Sequence, residues 1–336
     1  MKLSKKILLI VFLLSLKVLL YAQPKFVDIN SAPGAFSRMG FGPRGMAMGN
    51  SISAVTEGNL VAYYNPASSV FQNGNEFSTS YTFLSLDRSL NFLNFTRRFD
   101  FYSSKDTSEN RKPASTAGLS VGIINSGVRN IDGRDDDGYS TGNLSTSENQ
   151  FFLAVAIKFS GKFAIGLSTK YYYYKLYQDV TANSLGFDLG AIYILNDRWS
   201  FSLVVSDLNS EYKWDSTPVY DEDGTTTENK FPTTEKIGVC YKIPEFNLLT
   251  TAEFVNDNFG TKMIRFGIEY AIFEQFLLRG GIDNWFVNDP DQPIYPSLGF
   301  AYSKDIGFMK IGVEYAFVIE QYSPSDRHVI GINLIF

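Results

Sequence analysis

Residues 328–336 alternate strictly between two faces, and this constrains the fold more than any other feature of the chain. His328, Ile330, Ile332, Leu334 and Phe336 fall on one face of an extended strand; Val329, Gly331, Asn333 and Ile335 fall on the other. A soluble protein seldom finishes in mid-strand on an aromatic residue. An outer-membrane barrel does, because its last strand pairs with its first and leaves no open edge. Ile332, Leu334 and Phe336 therefore read as the assembly signal for an outer-membrane insertion machinery.

The opposite terminus agrees. Lys2, Lys5 and Lys6 precede an apolar run from Ile7 to Leu20, interrupted by Ser15 and Lys17, and Tyr21-Ala22 follows. A basic n-region, an apolar h-region and a small residue at the cut describe a secretory signal over 1–22. The run is too short for a membrane helix, and Lys17 disfavours one. No cysteine follows the cut, so a lipid anchor is not expected.

Period-two segments of about ten residues recur from Asn75 onward, long enough to cross a bilayer when tilted. Phe163, Ile165, Leu167, Thr169, Tyr171 and Tyr173 share one face, opposite Ala164, Gly166, Ser168 and Lys170. Ile264, Phe266, Ile268 and Tyr270 oppose Arg265, Gly267 and Glu269, and Met309, Ile311, Val313, Tyr315 and Phe317 oppose Lys310, Gly312 and Glu314. About fourteen such segments can be counted, an even number, as antiparallel closure requires. Tight connections, such as Ser160-Gly161, Asn196-Asp197 and Lys304-Asp305, alternate with longer ones around 126–147, 208–231 and 285–293. Short periplasmic turns and long outer loops give this rhythm. It fails twice, near 100–113 and near 257–260. The expectation is an all-β transmembrane antiparallel barrel over 75–336, preceded by an arm and a hatch or plug over 23–74. Within that segment, 34–74 is rich in Gly, Ala, Ser and Asn and lacks strand alternation.

Composition bounds the function. Formal net charge is −5, and removing the lysine-bearing leader leaves the remainder more acidic, which argues against a nucleic-acid partner. The 49 residues that are Phe (29) or Tyr (20) suit two interfacial girdles. A single cysteine, Cys240, forms no internal disulfide.

Few motifs point to chemistry. Gly40, Gly42 and Gly45 have dinucleotide-binding spacing but lack the strand–helix context it needs. The acidic runs Asp132, Asp135–Asp137 and Asp221–Asp223 lack full calcium-loop spacing. The single histidine, His328, sits at a rim with no nucleophile to serve. No catalytic residue, metal site or cofactor is expected, and the chain does not read as an enzyme. The inward faces carry the signal: Lys170, Asp188, Lys236, Glu253, Arg265, Glu269, Arg279, Lys310 and Glu314 line the lumen with both charge signs. Arg38 and Arg44 of the hatch are expected to pair with Glu253, Glu269 or Glu314.

The hatch carries a resemblance. Arg44-Gly45-Met46-Ala47-Met48-Gly49, then Ser53-Ala54-Val55, then Tyr64-Asn65-Pro66-Ala67 resemble the PorV/PorQ family, within the wider set of FadL-like barrels. Asn50 and Ser68 depart from it, standing where that family commonly has glycine. The resemblance implies a fourteen-stranded barrel in the outer membrane of a Gram-negative bacterium, with an N-terminal hatch that includes Arg38, Arg44, Met48, Gly49, Asn65 and Pro66. It further implies an interaction or shuttle role in type IX secretion, with secreted cargo proteins or secretion components as partners, bound through the loops at 126–147 and 208–231. The alternatives are a FadL-like transporter of hydrophobic small molecules and a general porin. Lumen polarity discriminates: the charged inward faces disfavour a wholly apolar passage, although Phe152, Val204 and Leu277 also point inward by parity.

Overall fold

The computed structural model describes residues 28–102, 113–177, 180–220 and 223–336. The expected signal peptide, the arm as far as residue 27, and Asp221 and Glu222 of the second acidic run lie outside the described residues. The strands are β1 (Asn75–Phe83), β2 (Arg88–Phe101), β3 (Ser115–Arg134), β4 (Ser140–Lys158), β5 (Phe163–Tyr177), β6 (Val180–Ile194), β7 (Trp199–Leu208), β8 (Glu211–Asp215) and β9 (Thr226–Lys230). They continue with β10 (Thr234–Ile243), β11 (Leu248–Asp257), β12 (Lys262–Phe273), β13 (Phe276–Phe286), β14 (Tyr295–Ile306), β15 (Met309–Val318) and β16 (Arg327–Ile335). All but β8 and β9 form one closed barrel of fourteen strands, each paired antiparallel with its neighbours.

Side-chain alternation builds the wall. On β5, Phe163, Ile165 and Leu167 turn outward, while Ala164, Gly166 and Ser168 are buried inside. The same rule places Ile268 (43% exposed) and Val313 (47% exposed) on the outer surface, and Glu269 and Glu314 in the lumen. The outer surface is thus an apolar belt suited to lipid, and the polar positions face one another across the interior. Closure is complete at the seam. β1 pairs with β16 from Glu76↔Ile335 to Phe83↔His328. Beyond that ladder, the N–H of Asn75 donates to the carbonyl of Phe336 at 2.8 Å, and the N–H of Phe336 returns the bond at 2.9 Å.

Two loops differ from the sequence expectation. The region 126–147 is mostly strand: β3 and β4 run on as a hairpin whose connecting turn begins at Asp135, held by Asp135 accepting from the N–H groups of Asp137 and Tyr139. Ser, Thr and Asn occupy both faces there, because both faces meet water, so the period of two disappears from the hydropathy while the backbone keeps it. The region 208–231 holds a second, separate hairpin of β8 and β9.

Candidate functional site in the barrel lumen

Residues 28–74 enter the barrel and fold against its inner wall. Their regular pieces are short: a helical turn at Asp28–Ser31, a 3-10 turn at Ala35–Arg38, a helix at Gly42–Ala47 and a 3-10 helix at Pro66–Phe71. Pro66 occupies a first helical position, where its missing N–H costs nothing. Asn65 caps that helix by accepting from the N–H of Ala67 at 2.9 Å. Its amide nitrogen donates to the carbonyls of Ser53 (3.0 Å) and Ala191 (3.2 Å), so one side chain ties two hatch segments to β6.

The hatch meets nearly the whole circumference. The 3-10 helix packs on β2 through β6; the helix at Gly42–Ala47 packs on β13 through β16 and on β1. Contact is so close that the wall offers glycine where the hatch backbone arrives. A Cβ on Gly281 would lie 2.2 Å from the nitrogen of Gly49, and one on Gly166 would lie 2.4 Å from the carbonyl carbon of Pro66. Gly118, Gly190, Gly267 and Gly331 likewise face Ser69, Asn65, Met48 and Pro43. Met48 is fully buried, and Gly49 turns the chain at φ 59.

Charge anchors one side of the hatch. Arg44 reaches Glu269 with two hydrogen bonds, 3.0 Å from Nε and 2.7 Å from Nη2, and donates from Nη1 to the carbonyls of Glu57 and Asn59. Glu269 also accepts from Arg279 at 2.6 Å, and Arg279 continues to Glu314 at 2.9 Å. Beside this chain, Arg265 bonds Asp283 at 2.6 Å and Glu253 at 3.3 Å. The hatch joins there as well: Ser53 donates to Glu253, and Asn50 donates to Asp283 at 2.7 Å. Every one of these charges is buried, and a buried charge without a partner is strongly destabilising. A third cluster, on the opposite wall, joins Lys170 to Asp188 (2.7 Å) and Asp207 (3.1 Å).

The expected residues divide accordingly. Arg44 and Glu269 come together. Glu253 and Glu314 instead satisfy barrel arginines, Arg265 and Arg279. Among the described residues Arg38 pairs with no carboxylate; its guanidinium donates to the carbonyls of Pro33 (2.8 Å), Ile29 (3.1 Å) and Ala32 (3.0 Å) and so pins the start of the hatch on itself. Among the described residues, Lys310 makes no ion pair. Sequence reasoning missed Asn50, which it met only as a departure from the family pattern. Asn50 lies at φ 56, accepts from the Tyr64 hydroxyl at 2.7 Å and bridges to Asp283. An asparagine directly after a glycine is the signal that could have found it, because asparagine tolerates the left-handed turn.

Aromatic rings fill the side of the lumen away from Arg44, Arg265 and Arg279. Phe41 stacks on Phe92 with centroids 3.6 Å apart and on Tyr63 at 5.1 Å. Phe36 meets Tyr172 at 6.4 Å, Tyr172 meets Phe231 at 4.8 Å, and Phe231 meets Tyr212 at 4.8 Å. Trp214 completes the column against Tyr174 at 5.1 Å. The β8–β9 hairpin thus leans over the lumen and links its rings to those of the hatch. Burial pushes the Tyr63 phenol up to about 12, so it remains a neutral donor, bonding the carbonyl of Ser37 at 2.6 Å.

Among solved structures, the toluene transporter TodX of Pseudomonas putida is similar: 14% identity, 88% of this chain and 96% of that one, TM-score 0.57. The monoaromatic hydrocarbon channel CymD aligns over 93% of this chain and 99% of its own, with 13% identity and a TM-score of 0.59. A FadL homologue of Pseudomonas aeruginosa aligns over 88% and 98%, with 11% identity and a TM-score of 0.52. A scan against known protein families finds no match, and neither does a search of the curated proteins. The chain therefore has the fold of FadL-like outer-membrane barrels.

Proposed function

We propose that this protein is an outer-membrane conduit for small hydrophobic molecules, taken up through a lumen that the hatch holds shut to water and ions. The observation that carries the reading is the aromatic column that runs from Trp214 and Tyr212, on the outer hairpin, through Phe231 and Tyr172 to Phe36 in the hatch. Flat apolar rings in contact form a surface on which an uncharged ligand exchanges one stacking partner for the next. The hatch fills the space that an open porin leaves to water, so the porin reading is the weaker one. TodX and CymD, which share the fold, are described as a toluene transporter and a monoaromatic hydrocarbon channel. Radiolabelled toluene and a long-chain fatty acid, offered to cells carrying the barrel as their only uptake route, test the reading. Uptake above the empty-vector rate, reduced by Tyr212→Ala and Trp214→Ala, is the expected result. Uptake equal to the empty vector overturns it.

A second reading keeps the PorV/PorQ resemblance: a shuttle or docking component of type IX secretion that binds secreted proteins or secretion components outside the cell. The hairpin of β3 and β4 favours it, because a polar projection with unpaired strand edges suits recognition by a protein. Co-purification from outer membranes followed by mass spectrometry tests it; recovery of the barrel without secretion components or cargo counts against it.

A further inference from the structure

The hairpin of β3 and β4 stands clear of the wall. β2 pairs with β3 no farther than Arg88↔Val128, and β5 pairs with β4 no farther than Lys175↔Ser147. Past those points, residues 129–134 and 140–145 pair only with each other among the described residues. Among the described residues, each strand therefore keeps one edge of N–H and C=O groups without a ladder.

The two edges are unlike. β3 is guarded: Asn130 sits at φ 58, the register slips between Val128 and Ile131, and Arg134 and Asp132 form an ion pair at 2.7 Å. Bulges and charges are what proteins use to stop an edge from recruiting another strand. β4 also slips register near the tip, where Gly133 faces Gly142 and Arg134 faces Ser140. Its residues 140–146, however, read Ser-Thr-Gly-Asn-Leu-Ser-Thr, with no charge and no proline. The tip beside it is acidic, formed by Asp135, Asp136 and Asp137.

We infer that the free edge of β4 at 140–146 receives an extended, basic segment of a partner protein as an added strand. The inference rests on the docking reading given above. Main-chain hydrogen bonds to alternate residues supply the attachment, and the acidic tip supplies steering and selects a basic partner. An acidic or compact partner surface satisfies neither condition.

The test uses the full-length barrel in lipid nanodiscs. The probes are a ten-residue peptide alternating Lys and Val, the same peptide N-methylated at alternate residues, and its Glu–Val counterpart. Amide hydrogen exchange is read across the hairpin. The Lys–Val peptide is expected to slow exchange at 140–146 by about tenfold; the N-methylated peptide, which keeps the charge but loses one edge of donors, and the Glu–Val peptide leave it unchanged. Asn143→Pro, with folding checked by heat-modifiable migration, is expected to abolish the protection. Equal protection by the N-methylated peptide reduces the effect to charge and overturns the inference, as does protection at 129–134 instead, or none at all. Toluene uptake by cells carrying the same variants is independent of this edge, so failure of the strand addition and failure of the transport reading register separately.

Discussion

Arg44 of the hatch and Glu269 of β12 lie 225 residues apart in sequence and face each other through two charge-assisted hydrogen bonds of 3.0 and 2.7 Å. The pair is buried, and Glu269 also binds Arg279, so the bond welds a hatch residue into a network that belongs to the barrel. Arg44→Ala leaves Arg279 and Glu314 in place but takes a positive charge from a buried cluster. The expected cost is about 3–5 kcal/mol in chemical denaturation. A cycle with Glu269→Ala should reveal coupling above about 1 kcal/mol, and strictly additive losses would speak against the pairing.

Deleting residues 34–68 removes both the anchor and the filling of the lumen. The barrel ladder does not depend on those residues, so the shortened protein is expected to insert. It should conduct ions in planar bilayers, where the intact protein conducts little. Arg44→Ala should give a weaker version of the same leak. Equal, large conductance from intact and deleted proteins would favour the open-porin reading.

Gly280 and Gly281 are neighbours on opposite faces of β13 and should respond oppositely to one methyl group. At Gly281 the new carbon meets the backbone of Gly49 at 2.2 Å, and backbone does not yield. At Gly280 it meets Ile268 and Leu298 side chains at 3.4 and 3.7 Å, over an apolar dent of about 520 Å³ on the outer surface. Gly281→Ala is expected to destabilise by about 1–3 kcal/mol. Gly280→Ala should leave stability within about 0.5 kcal/mol of the parent. Similar effects at both sites would contradict the seating of the hatch.

Ile268 and Val313 supply the lipid-side test. Arginine at either should cost about 2–4 kcal/mol near the bilayer middle. Crowding of the lumen differs between their neighbours. A side chain at Gly267 runs into the carbonyl of Met48, whose distance from a Cβ would be 2.6 Å, whereas the nearest atom to a Cβ at Gly312 is 3.7 Å away. Gly267→Ala should therefore loosen the hatch and Gly312→Ala should not, as limited proteolysis of residues 34–74 would report.

The barrel was legible because its wall obeys one rule from end to end: alternation such as Phe163/Ala164/Ile165 survives wherever one face meets lipid. It faded where both faces meet water, which is why 126–147 read as a loop although β3 and β4 continue through it. The hatch was legible only as a segment without a period. Its arginines announced themselves by charge, but a sequence does not say which carboxylate a guanidinium will meet. Arg44 found Glu269 because the helix at Gly42–Ala47 aims it there, while Arg38 closed on carbonyls within its own turn. The receiving glycines looked like ordinary small inward residues. Only the three-dimensional approach of Gly49 to Gly281 and of Pro66 to Gly166 gives them a purpose.

The seam between β1 and β16 also sets an order of events. Asn75 and Phe336 are far apart along the chain, so their pairing closes the longest loop the wall requires. The hatch is joined to β1 directly at that seam, and its backbone ends up pressed against glycines all round the interior with no slack at either mouth. A plug seated so closely is expected to be in place before the last ladder forms, with the wall closing around it. On that expectation the hatch is enclosed during biogenesis, as a ship is built around an engine too large for its hatches.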